Sequence, residues 1–476
     1  MAKVHEVEVR ASPANALAPL IGAERMDRYR ELARAARDAL AGRRILNVNS
    51  TATGGGVAEM LQTLLAHALA AGIEARWVVI EGNPAFFEVT KRLHNHLYGA
   101  PGDGGALDHS ARAIYEQTLR ENAEDLLALV QPGDIVLLHD PQPAGLAAAV
   151  RQAGANVVWR CHVGIDTPNE YSERAWAFLR PYVEDVDASV FTRRAFAPGW
   201  IPPERLHVIP PSIDPFSAKN QDMQPDEALR VLRHVGLAAG ADHPPTAPFR
   251  RRDGSPGRVT RHADILQTGP PPPADVPLVV QVSRWDRMKD MPGVMTGFAE
   301  HVDGAADAHL VLAGPAVTGV TDDPEGGEVL DECAKAWREL PHSVRTRVHL
   351  ACLPMRDADE NAAIVNALQR HAAVIVQKSL AEGFGLTVTE AMWKGRPIVA
   401  TAVGGIAEQI TDGENGLLLD DPADLESFGA ATLRLLDDEP LADRLAVGAR
   451  RSASEQFLPD RHLAQWAALL TAVDPP

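Results

Sequence analysis

Short apolar runs that alternate with helical patterns constrain the fold of this chain more than any other feature. Such runs are typical of parallel strands that are buried on both faces of a sheet. The first series of predicted strands comprises residues 44–49, 77–80, 134–138, 156–160, 188–191 and 207–209. The second series comprises residues 278–282, 309–312, 347–350, 373–377, 397–400 and 416–419. Because helical patterns separate most of these runs, the sequence predicts an α/β protein with two doubly wound parallel sheets.

The two series of strands divide the chain into predicted domains. Residues 1–216 form an N-terminal domain, residues 277–456 form a second domain, and residues 457–476 carry a final helix. Residues 217–276 are expected to be a linker with an exposed insertion near 249–275, because this stretch is rich in Pro, Gly and Arg. The other predicted helices include residues 24–40, 57–71 and 226–235.

Composition excludes several classes of function. With 64 acidic and 46 basic side chains the formal charge is −18, which would repel a phosphate backbone and argues against a nucleic-acid partner. Cys161, Cys333 and Cys352 lack the spacing of a disulfide framework or a zinc site. The chain has no apolar signal core and no uncharged apolar stretch of about 18 residues, so we expect a cytoplasmic protein without a membrane partner.

A glycine-containing turn follows the predicted strand 373–377. Gly383 and Gly385 flank Phe384, and a helix opens at Leu386 and stops near Gly395. The glycines allow a sharp turn whose amide groups stay unobstructed at a helix N-terminus. The pattern therefore predicts a site for an anionic or hydroxyl-rich ligand.

Two carboxylates frame this turn. Glu382 precedes the glycines, and Glu390 follows eight positions later, which is about two helical turns. The two side chains can reach different parts of one elongated ligand. The alternative is that Glu382 is a solvated loop residue and Glu390 an ordinary carboxylate favoured by the helix dipole.

A second glycine turn lies between the predicted strand 44–49 and the helix 57–71. Gly54, Gly55 and Gly56 would let backbone amides approach a phosphate closely. Their spacing matches neither the dinucleotide fingerprint nor the P-loop. A simple flexible turn remains the alternative.

Two cations follow the predicted strand 278–282. Arg284 and Lys289 lie at the same predicted sheet edge as the Glu382 turn. Arg can bind phosphate oxygens bidentately and Lys can bind them as a point charge, so this pair could supply the local positive charge that an acidic protein needs. The alternative is a surface ion-pair cluster with Asp286 and Asp290.

Polar residues also follow two strands of the first series. His139 and Asp140 come after strand 134–138, and Arg160 and His162 end or follow strand 156–160. In parallel sheets ligands bind beyond the carboxyl ends of the strands. A lone His at such a position is usually structural, whereas two polar clusters at equivalent strand ends favour a binding site.

These motifs resemble those of a known enzyme family. Glu382 and Glu390 match the Glu-x7-Glu pattern of retaining glycosyltransferases of family 4. The closer resemblance, from about Ile45 to Trp466, is to the trehalose glycosyltransferring synthases and the related retaining trehalose phosphorylases. It rests on His139-Asp140-Pro141-Gln142-Pro143, Trp159-Arg160-Cys161-His162, Pro211-Ser212-Ile213-Asp214-Pro215, Gln281-Val282-Ser283-Arg284-Trp285-Asp286, Asn366-Ala367-Leu368-Gln369-Arg370 and residues 382–395. The sequence departs from the family at Val163-Gly164 and in the 249–275 insertion.

The resemblance implies a fold and a set of site residues. The fold is GT-B, in which two Rossmann-like parallel-sheet domains face each other across a cleft, and the final helix crosses back to the N-terminal acceptor-side domain. The implied catalytic residues are His162, Arg284, Lys289 and Glu382. The implied donor-binding residues are Gly54, Gly55, Gly56, Arg284, Lys289, Gly383, Phe384, Gly385, Leu386 and Glu390. The implied acceptor-binding residues are Asp140, Gln142 and Arg160.

The reaction that the resemblance implies is transfer of an α-glucosyl group from a nucleoside diphosphate glucose, such as UDP-glucose or ADP-glucose, to glucose. The product would be α,α-trehalose, and the reaction would be reversible. No cofactor and no metal are expected. Two Asp-x-Asp matches in an acidic chain are expected by chance and do not indicate a metal site. A trehalose phosphorylase, a family 4 transferase with another acceptor, and a sugar-binding regulator remain rival hypotheses. A homodimer stays open, because the sequence does not determine the oligomeric state.

Overall fold

The computed structural model describes residues 3–13, 15–52, 55–240, 248–304, 306–317 and 325–473. The chain forms two compact units. Unit 1 comprises Met1–Ser212 and Phe457–Pro476, and unit 2 comprises Ile213–Gln456. The first unit therefore ends near the predicted boundary at residue 216, and each unit is built on its own sheet.

Unit 1 contains a seven-stranded sheet with the strand order β1-β3-β2-β4-β5-β6-β7. The strands are β1 (Val4–Val7), β2 (Ile45–Asn49), β3 (Ala75–Ile80), β4 (Ile135–His139), β5 (Asn156–Cys161), β6 (Ala188–Phe191) and β7 (Leu206–Val208). The helices are α1 (Ala18–Ala39), α2 (Gly55–Ala70), α3 (Pro84–Leu97), α4 (His109–Leu129), α5 (Ala147–Gln152) and α6 (Glu170–Val183). All neighbouring strands are parallel except β1, which pairs antiparallel with β3.

Local signals explain several helix starts in unit 1. Asn83 and Asp108 cap α3 and α4 by accepting hydrogen bonds from Phe86 N (2.9 Å) and Ala111 N (3.0 Å). Helix α6 begins with a capping box between Asn169 and the residue three positions later. Apolar clusters cover both faces of the sheet, which explains why its strands are continuously apolar.

Unit 2 contains a second seven-stranded sheet, with the order β10-β13-β12-β11-β14-β15-β16, and a small two-stranded sheet. Its strands are β8 (Phe249–Arg250), β9 (Pro256–Gly257), β10 (Asp264–Leu266), β11 (Leu278–Val282), β12 (His309–Pro315), β13 (Val348–Leu353), β14 (Val374–Gln377), β15 (Ile398–Thr401) and β16 (Leu417–Leu419). Its helices are α7 (Pro225–Val235), α8 (Met291–His301), α9 (Gly326–Glu339), α10 (His342–Arg345), α11 (Ala358–His371), α12 (Leu386–Trp393), α13 (Leu425–Asp437) and α14 (Glu439–Gln456). All strand pairs of the large sheet are parallel except β10 with β13.

The segment 217–276 belongs to unit 2 and is not a linker, which corrects the expectation from its composition. Strand β10 adds an antiparallel edge to the large sheet, and α7 packs on α11. The side chain of Arg251 lies 2.7 Å from the carboxylate of Asp357 at the start of α11. These tertiary contacts hold a stretch whose local sequence contains few strand or helix signals.

The final helix, α15 (Pro459–Ala472), packs within unit 1. Trp466 and Leu470 join the apolar cluster on one face of the unit 1 sheet. Arg25 Nε donates to Asp460 Oδ2 (2.5 Å), which ties α15 to α1. Arg461 donates to the carbonyl of Pro210 (2.7 Å) near the end of the first segment of unit 1.

Candidate active site

The glycine turn of unit 2 connects β14 to α12. Gly385 is the N-cap of α12 and has φ 88° and ψ 58°, in the left-handed region that favours glycine. It offers no side-chain cap to the helix. The amides of Leu386 and Thr387 lie in the first turn, where helix N–H groups have no intrahelical acceptor. The turn is therefore shaped to present amide groups to an anion or a hydroxyl.

Gln409 holds this turn in place from the neighbouring segment. Its Nε2 group donates to the carbonyl of Phe384, and its Oε1 accepts from Thr389 Oγ1 (2.6 Å). Gly405 packs so tightly against the turn that an added Cβ would lie 2.4 Å from Phe384 Cα. The shape of the turn thus depends on residues about 20 positions away in sequence.

Lys289 and Glu382 meet at one edge of the sheet. Lys289 Nζ lies 2.5 Å from Glu382 Oε2, and both side chains are mostly buried. Lys289 belongs to the segment after β11, and Glu382 belongs to the segment after β14, which is the neighbouring strand. The structure therefore brings together a predicted phosphate cation and a predicted sugar carboxylate.

Arg284 lies on the same loop and is more accessible. Its side chain is 39% exposed, and its Nη2 group lies 3.2 Å from Asp286 Oδ2. Asp286 also accepts a hydrogen bond from Met288 N (2.9 Å), which shapes the turn that carries Lys289. On the loop after β11, Arg284 and Lys289 thus both have carboxylates as resting partners.

Glu390 is buried on α12, with 3% of its surface exposed. Its Oε1 atom lies 3.5 Å from Lys219 Nζ. Behind it, Lys394 Nζ donates to Gln369 Oε1 (2.8 Å) and Asn220 Oδ1 (3.0 Å). Burial lowers the pKa of Lys394 to about 7, and the nearby Glu390 opposes that shift.

In unit 1, Asp140 directly follows β4 and has φ 66°. Its Oδ1 accepts a hydrogen bond from His162 N (2.7 Å), which joins the ends of β4 and β5. Burial raises the pKa of Asp140 to about 7, although the hydrogen bond from His162 and the nearby Arg160 favour the ionised form.

Arg160 is completely buried, with 0% exposure. Its guanidinium donates to the carbonyl of Phe191 and to Thr192 Oγ1, both at 3.3 Å. Its Nε also donates to His162 Nδ1 (3.4 Å). Arg160 is therefore held among buried partners, and its predicted contact with an acceptor stays a prediction.

His162 takes part in a chain of hydrogen bonds that allows one set of tautomers. Because Arg160 is a donor only, His162 Nδ1 accepts and its Nε2 carries the proton. His162 Nε2 then donates to His139 Nδ1 (3.2 Å), and His139 Nε2 donates to Asn47 Oδ1 (3.0 Å). Burial lowers the pKa of His139 to about 3 and that of His162 well below its usual value.

The remaining predicted residues lie in the two units as follows. Gln142 is half-buried two positions after Asp140. Gly55 begins α2 with φ 78°, and Gly56 is the next residue of that helix. Gly54 lies outside the described residues. The supporting residues Gln281, Lys378 and Gln409 were not predicted, because their partners are distant in sequence.

Two negative findings apply to the described ranges. No group of three or more His, Cys, Asp or Glu side chains within them is arranged to hold a metal ion. No helix in the same part of the chain is both long and apolar enough to cross a membrane.

Comparison with known proteins identifies the family. The profile of the family described as Trehalose synthase, N-terminal domain, matches residues 47–198, and that of Glycosyl transferases group 1 matches residues 267–452. A trehalose synthase from Rubrobacter xylanophilus is 35% identical over 95% of this chain and 96% of its own length. A trehalose phosphorylase from Pleurotus pulmonarius is 24% identical over 88% of this chain and 56% of its own length.

Solved structures agree on the fold. An α,α-trehalose-phosphate synthase (UDP-forming) from Burkholderia vietnamiensis superposes with a TM-score of 0.65 at 15% identity, covering 91% of this chain and 98% of that chain. The fold is GT-B, with a Rossmann-like parallel sheet in each unit. The chain belongs to glycosyltransferase family 4, in the group of trehalose synthases and trehalose phosphorylases, and it is a glycosyltransferase.

Proposed function

We propose that this protein transfers an α-glucosyl group from a nucleoside diphosphate glucose to glucose and forms α,α-trehalose with retention. Trehalose as the product is supported by its relatives, which are trehalose synthases at 33–35% identity over nearly their whole length. The trehalose phosphorylases are 24–25% identical, and the match covers 56% of their own length. The synthase is therefore favoured over the phosphorylase.

The observation that carries this proposal is the buried carboxylate of Glu390. It lies five residues into α12, about 7 Å along the helix axis from the glycine turn, and it faces Lys219 at 3.5 Å. A ribose offers hydroxyl groups to a carboxylate at this distance from the sugar-binding turn. Inorganic phosphate offers none, and a carboxylate close to it would repel it.

The chemistry we propose takes place on one face of the donor sugar. The bond between the anomeric carbon and the β-phosphate oxygen breaks, and a bond from that carbon to the acceptor hydroxyl oxygen forms on the same face. The acceptor proton passes to the departing phosphate oxygen. The protein therefore has to stabilise negative charge on the phosphates and to orient two sugars.

The site residues divide these tasks. Arg284, Lys289 and the amides at the start of α12 would stabilise the diphosphate charge. Glu382 would accept hydrogen bonds from donor-sugar hydroxyls, which requires the donor to compete for its present partner Lys289. His162 would donate to the donor glucose, which requires the sugar to compete for the Nε2 proton that now binds His139. The loop after β4 with Asp140 and Gln142 would position the acceptor.

Product analysis tests the proposal. Each of four reactions contains the protein, isotopically labelled glucose and one nucleotide sugar, which is UDP-, ADP-, GDP- or TDP-glucose. A parallel reaction contains the protein, trehalose and inorganic phosphate. We expect labelled α,α-trehalose with at least one nucleotide donor, and nucleotide-dependent cleavage of trehalose in reverse. Glu382→Gln serves as the control for site-dependent turnover.

One result would assign the protein to the phosphorylases instead. If phosphate alone supports cleavage of trehalose to glucose 1-phosphate at a rate equal to or above that with any nucleoside diphosphate, the proposed donor is wrong. If labelled glucose is not incorporated but another sugar is, the proposed acceptor is wrong.

A further inference from the structure

Asp290 adopts a backbone conformation that few residues tolerate. It has φ 47° and ψ 44°, and among the described residues it is one of two non-glycine residues with positive φ, the other being Asp140. A strained residue of this kind persists when its side chain is held by specific contacts, and such residues cluster at functional sites. Asp290 directly follows Lys289 and caps α8 through a hydrogen bond from Gly293 N to its Oδ1 (3.2 Å).

The second carboxylate oxygen of Asp290 binds a buried cation. Lys378 Nζ is paired with Asp290 Oδ2, and the Lys378 side chain is 2% exposed. Lys378 directly follows β14 and lies four positions before Glu382. The pair therefore joins the loop that carries Lys289 to the loop that carries Glu382.

Backbone contacts reinforce the same junction. Gln281, which is fully buried on β11, donates from Nε2 to Lys289 O (2.7 Å) and accepts at Oε1 from Lys378 N (3.2 Å). Leu380 N donates to Met288 O (2.8 Å). The segment 378–380 is thus joined to the first loop at Met288 and Asp290, the residues on either side of Lys289.

We propose that Lys378 and Asp290 are positioning residues that set the distance between the phosphate cation Lys289 and the sugar carboxylate Glu382. This inference rests on the proposed function for the roles of Lys289 and Glu382. The alternative role, simple stabilisation, suits the pair poorly. A buried ion pair adds little net stability compared with apolar residues of similar size, and the backbone of Asp290 is strained as well.

A double variant separates the two roles. Asp290→Asn keeps a residue that tolerates positive φ and can still accept from Gly293 N, while Lys378→Met fills the same space without charge. Because both charges are removed together, no buried charge is left uncompensated. We expect a melting temperature within a few degrees of the wild type, but kcat/KM for transfer lower by about tenfold or more.

A crystal structure of the double variant supplies a readout that does not depend on the reaction. We expect the Lys289 Nζ to Glu382 Oε2 distance to increase from 2.5 Å to beyond hydrogen-bond reach, above about 3.5 Å. An unchanged distance, or wild-type kcat/KM, overturns the inference. If the wild type proves inactive with every nucleotide donor, the proposed function fails, whereas this distance still tests the positioning role.

Two further variants complete the test. Asp331→Asn with Lys335→Met removes an exposed Asp and Lys from α9 of the same unit and should leave transfer unchanged. Lys378→Arg keeps the charge but alters the reach of the side chain. This variant still tests the inference if the double variant fails to fold. Positioning predicts that Lys378→Arg lowers kcat/KM with little loss of stability, and wild-type kinetics in this variant would contradict it.

Discussion

At the scale of single residues, the state of His162 follows from neighbours on two strands, β4 and β5. Arg160 donates to its Nδ1, and His139 accepts from its Nε2, so the neutral ring has one tautomer. Burial lowers the pKa of His162, and the positive charge of Arg160 lowers it further. The ring therefore stays neutral at physiological pH, and its orientation is defined before any substrate binds.

Arg160→Gln should move the acidic limb of the transfer pH profile upward. Removing the buried cation raises the pKa of both His162 and Asp140, because Arg160 lowers both in the wild type. Both groups would then bind protons at a higher pH, and kcat/KM would fall earlier on acidification, by about one pH unit. The measurement is kcat/KM from pH 5 to 9, with exposed Arg151→Gln as the control. A folded variant with the wild-type profile would exclude this coupling.

Lys289→Ala should reduce kcat by a factor of about ten to a thousand, roughly 1.4–4 kcal/mol of lost transition-state stabilisation. The reason is that Lys289 is the cation of the loop after β11 that lies against Glu382, in a protein with a formal charge of −18. The matched control is Arg287→Ala, two positions earlier on the same turn. The Arg287 side chain pairs with Glu332 on α9 (2.6 Å) and is partly exposed, so its loss should leave kcat nearly unchanged. Equal effects of the two substitutions on kcat would show that Lys289 is not part of the site.

The two carboxylates of the family signature should respond differently to neutralisation. Glu382→Gln should impair transfer while leaving the affinity for free nucleoside diphosphate unchanged or higher, because Lys289 loses its resting partner. Glu390→Gln should chiefly weaken nucleotide affinity, because it removes the proposed ribose contact. Calorimetric titration with the free nucleotide, together with steady-state kinetics, measures both effects. The reverse ordering would mean that the two roles are exchanged.

At the scale of elements, the strand–turn–helix unit from β14 to α12 depends on a second segment. Gly404–Glu408 forms a short 3-10 helix next to it, and Gln409 binds the turn directly. The absence of a side chain at Gly405 lets the two backbones approach closely. Two chain segments therefore share the packing of this turn, an arrangement that favours one resting shape.

Gly405→Ala should weaken both stability and donor binding. Its Cβ would lie 2.4 Å from Phe384 Cα, and the obstructing atom is backbone rather than a flexible side chain. The turn has to shift, at a cost of about 1–3 kcal/mol of unfolding free energy. Gly327→Ala on α9 is the control, since nothing lies within 4 Å of the added Cβ there. Thermal unfolding and nucleotide titration measure the difference, and wild-type values for Gly405→Ala would contradict the argument.

The elements that pattern reasoning could predict are those with strong local signals. All the predicted parallel strands are present, and each of their ends lies within three residues of the predicted position. The reason is that a buried parallel strand has a continuous apolar sequence. Strands β1, β8, β9 and β10 were not predicted, and all four are short and antiparallel. Strand β10 lies in a Pro-rich and Arg-rich stretch, and its strand character comes from pairing with β13.

The predicted site shows the same division. Lys289, Glu382 and the glycine turn were identified from residue type and spacing, and the structure brings them together in unit 2. The buried partners Lys378 and Gln409 were not identified. The local sequence around a Lys or Gln does not indicate which distant residue its side chain will bind. The acceptor-side role of Arg160 came from the family resemblance, whereas its complete burial depends on packing that spacing does not reveal.

At the scale of the whole molecule, both units bury histidines in neutral form. Burial lowers the pKa of His67 to about 4 and that of His349 to about 3, and it lowers the pKa of His462 well below its usual value. His139 and His162 behave in the same way. Two partly buried carboxylates have the opposite tendency, since desolvation raises the pKa of Asp140 and of Asp214.

These pKa shifts determine how stability depends on pH. A histidine whose pKa is lowered by folding binds its proton more readily in the unfolded state, so acidification below about pH 6.5 favours unfolding by up to about 1.4 kcal/mol per pH unit for each such group. A carboxylate whose pKa is raised by folding binds its proton first in the folded state and offsets part of this loss. Because the buried histidines outnumber the two carboxylates, the sum favours unfolding.

We therefore predict that the melting temperature falls as the pH decreases from 7 to 5, and that removing one buried histidine reduces this slope. His349→Gln is the informative variant, because its ring is buried and contacts His309 Nδ1 (2.9 Å) far from the site residues in sequence. It should be less stable than the wild type at pH 7 but should lose less stability on acidification. His109→Gln, at an exposed position on α4, should leave the slope unchanged. Calorimetric scans at constant ionic strength measure the slopes, and a melting temperature that stays constant or rises between pH 7 and 5 would show that the histidines do not dominate the proton balance.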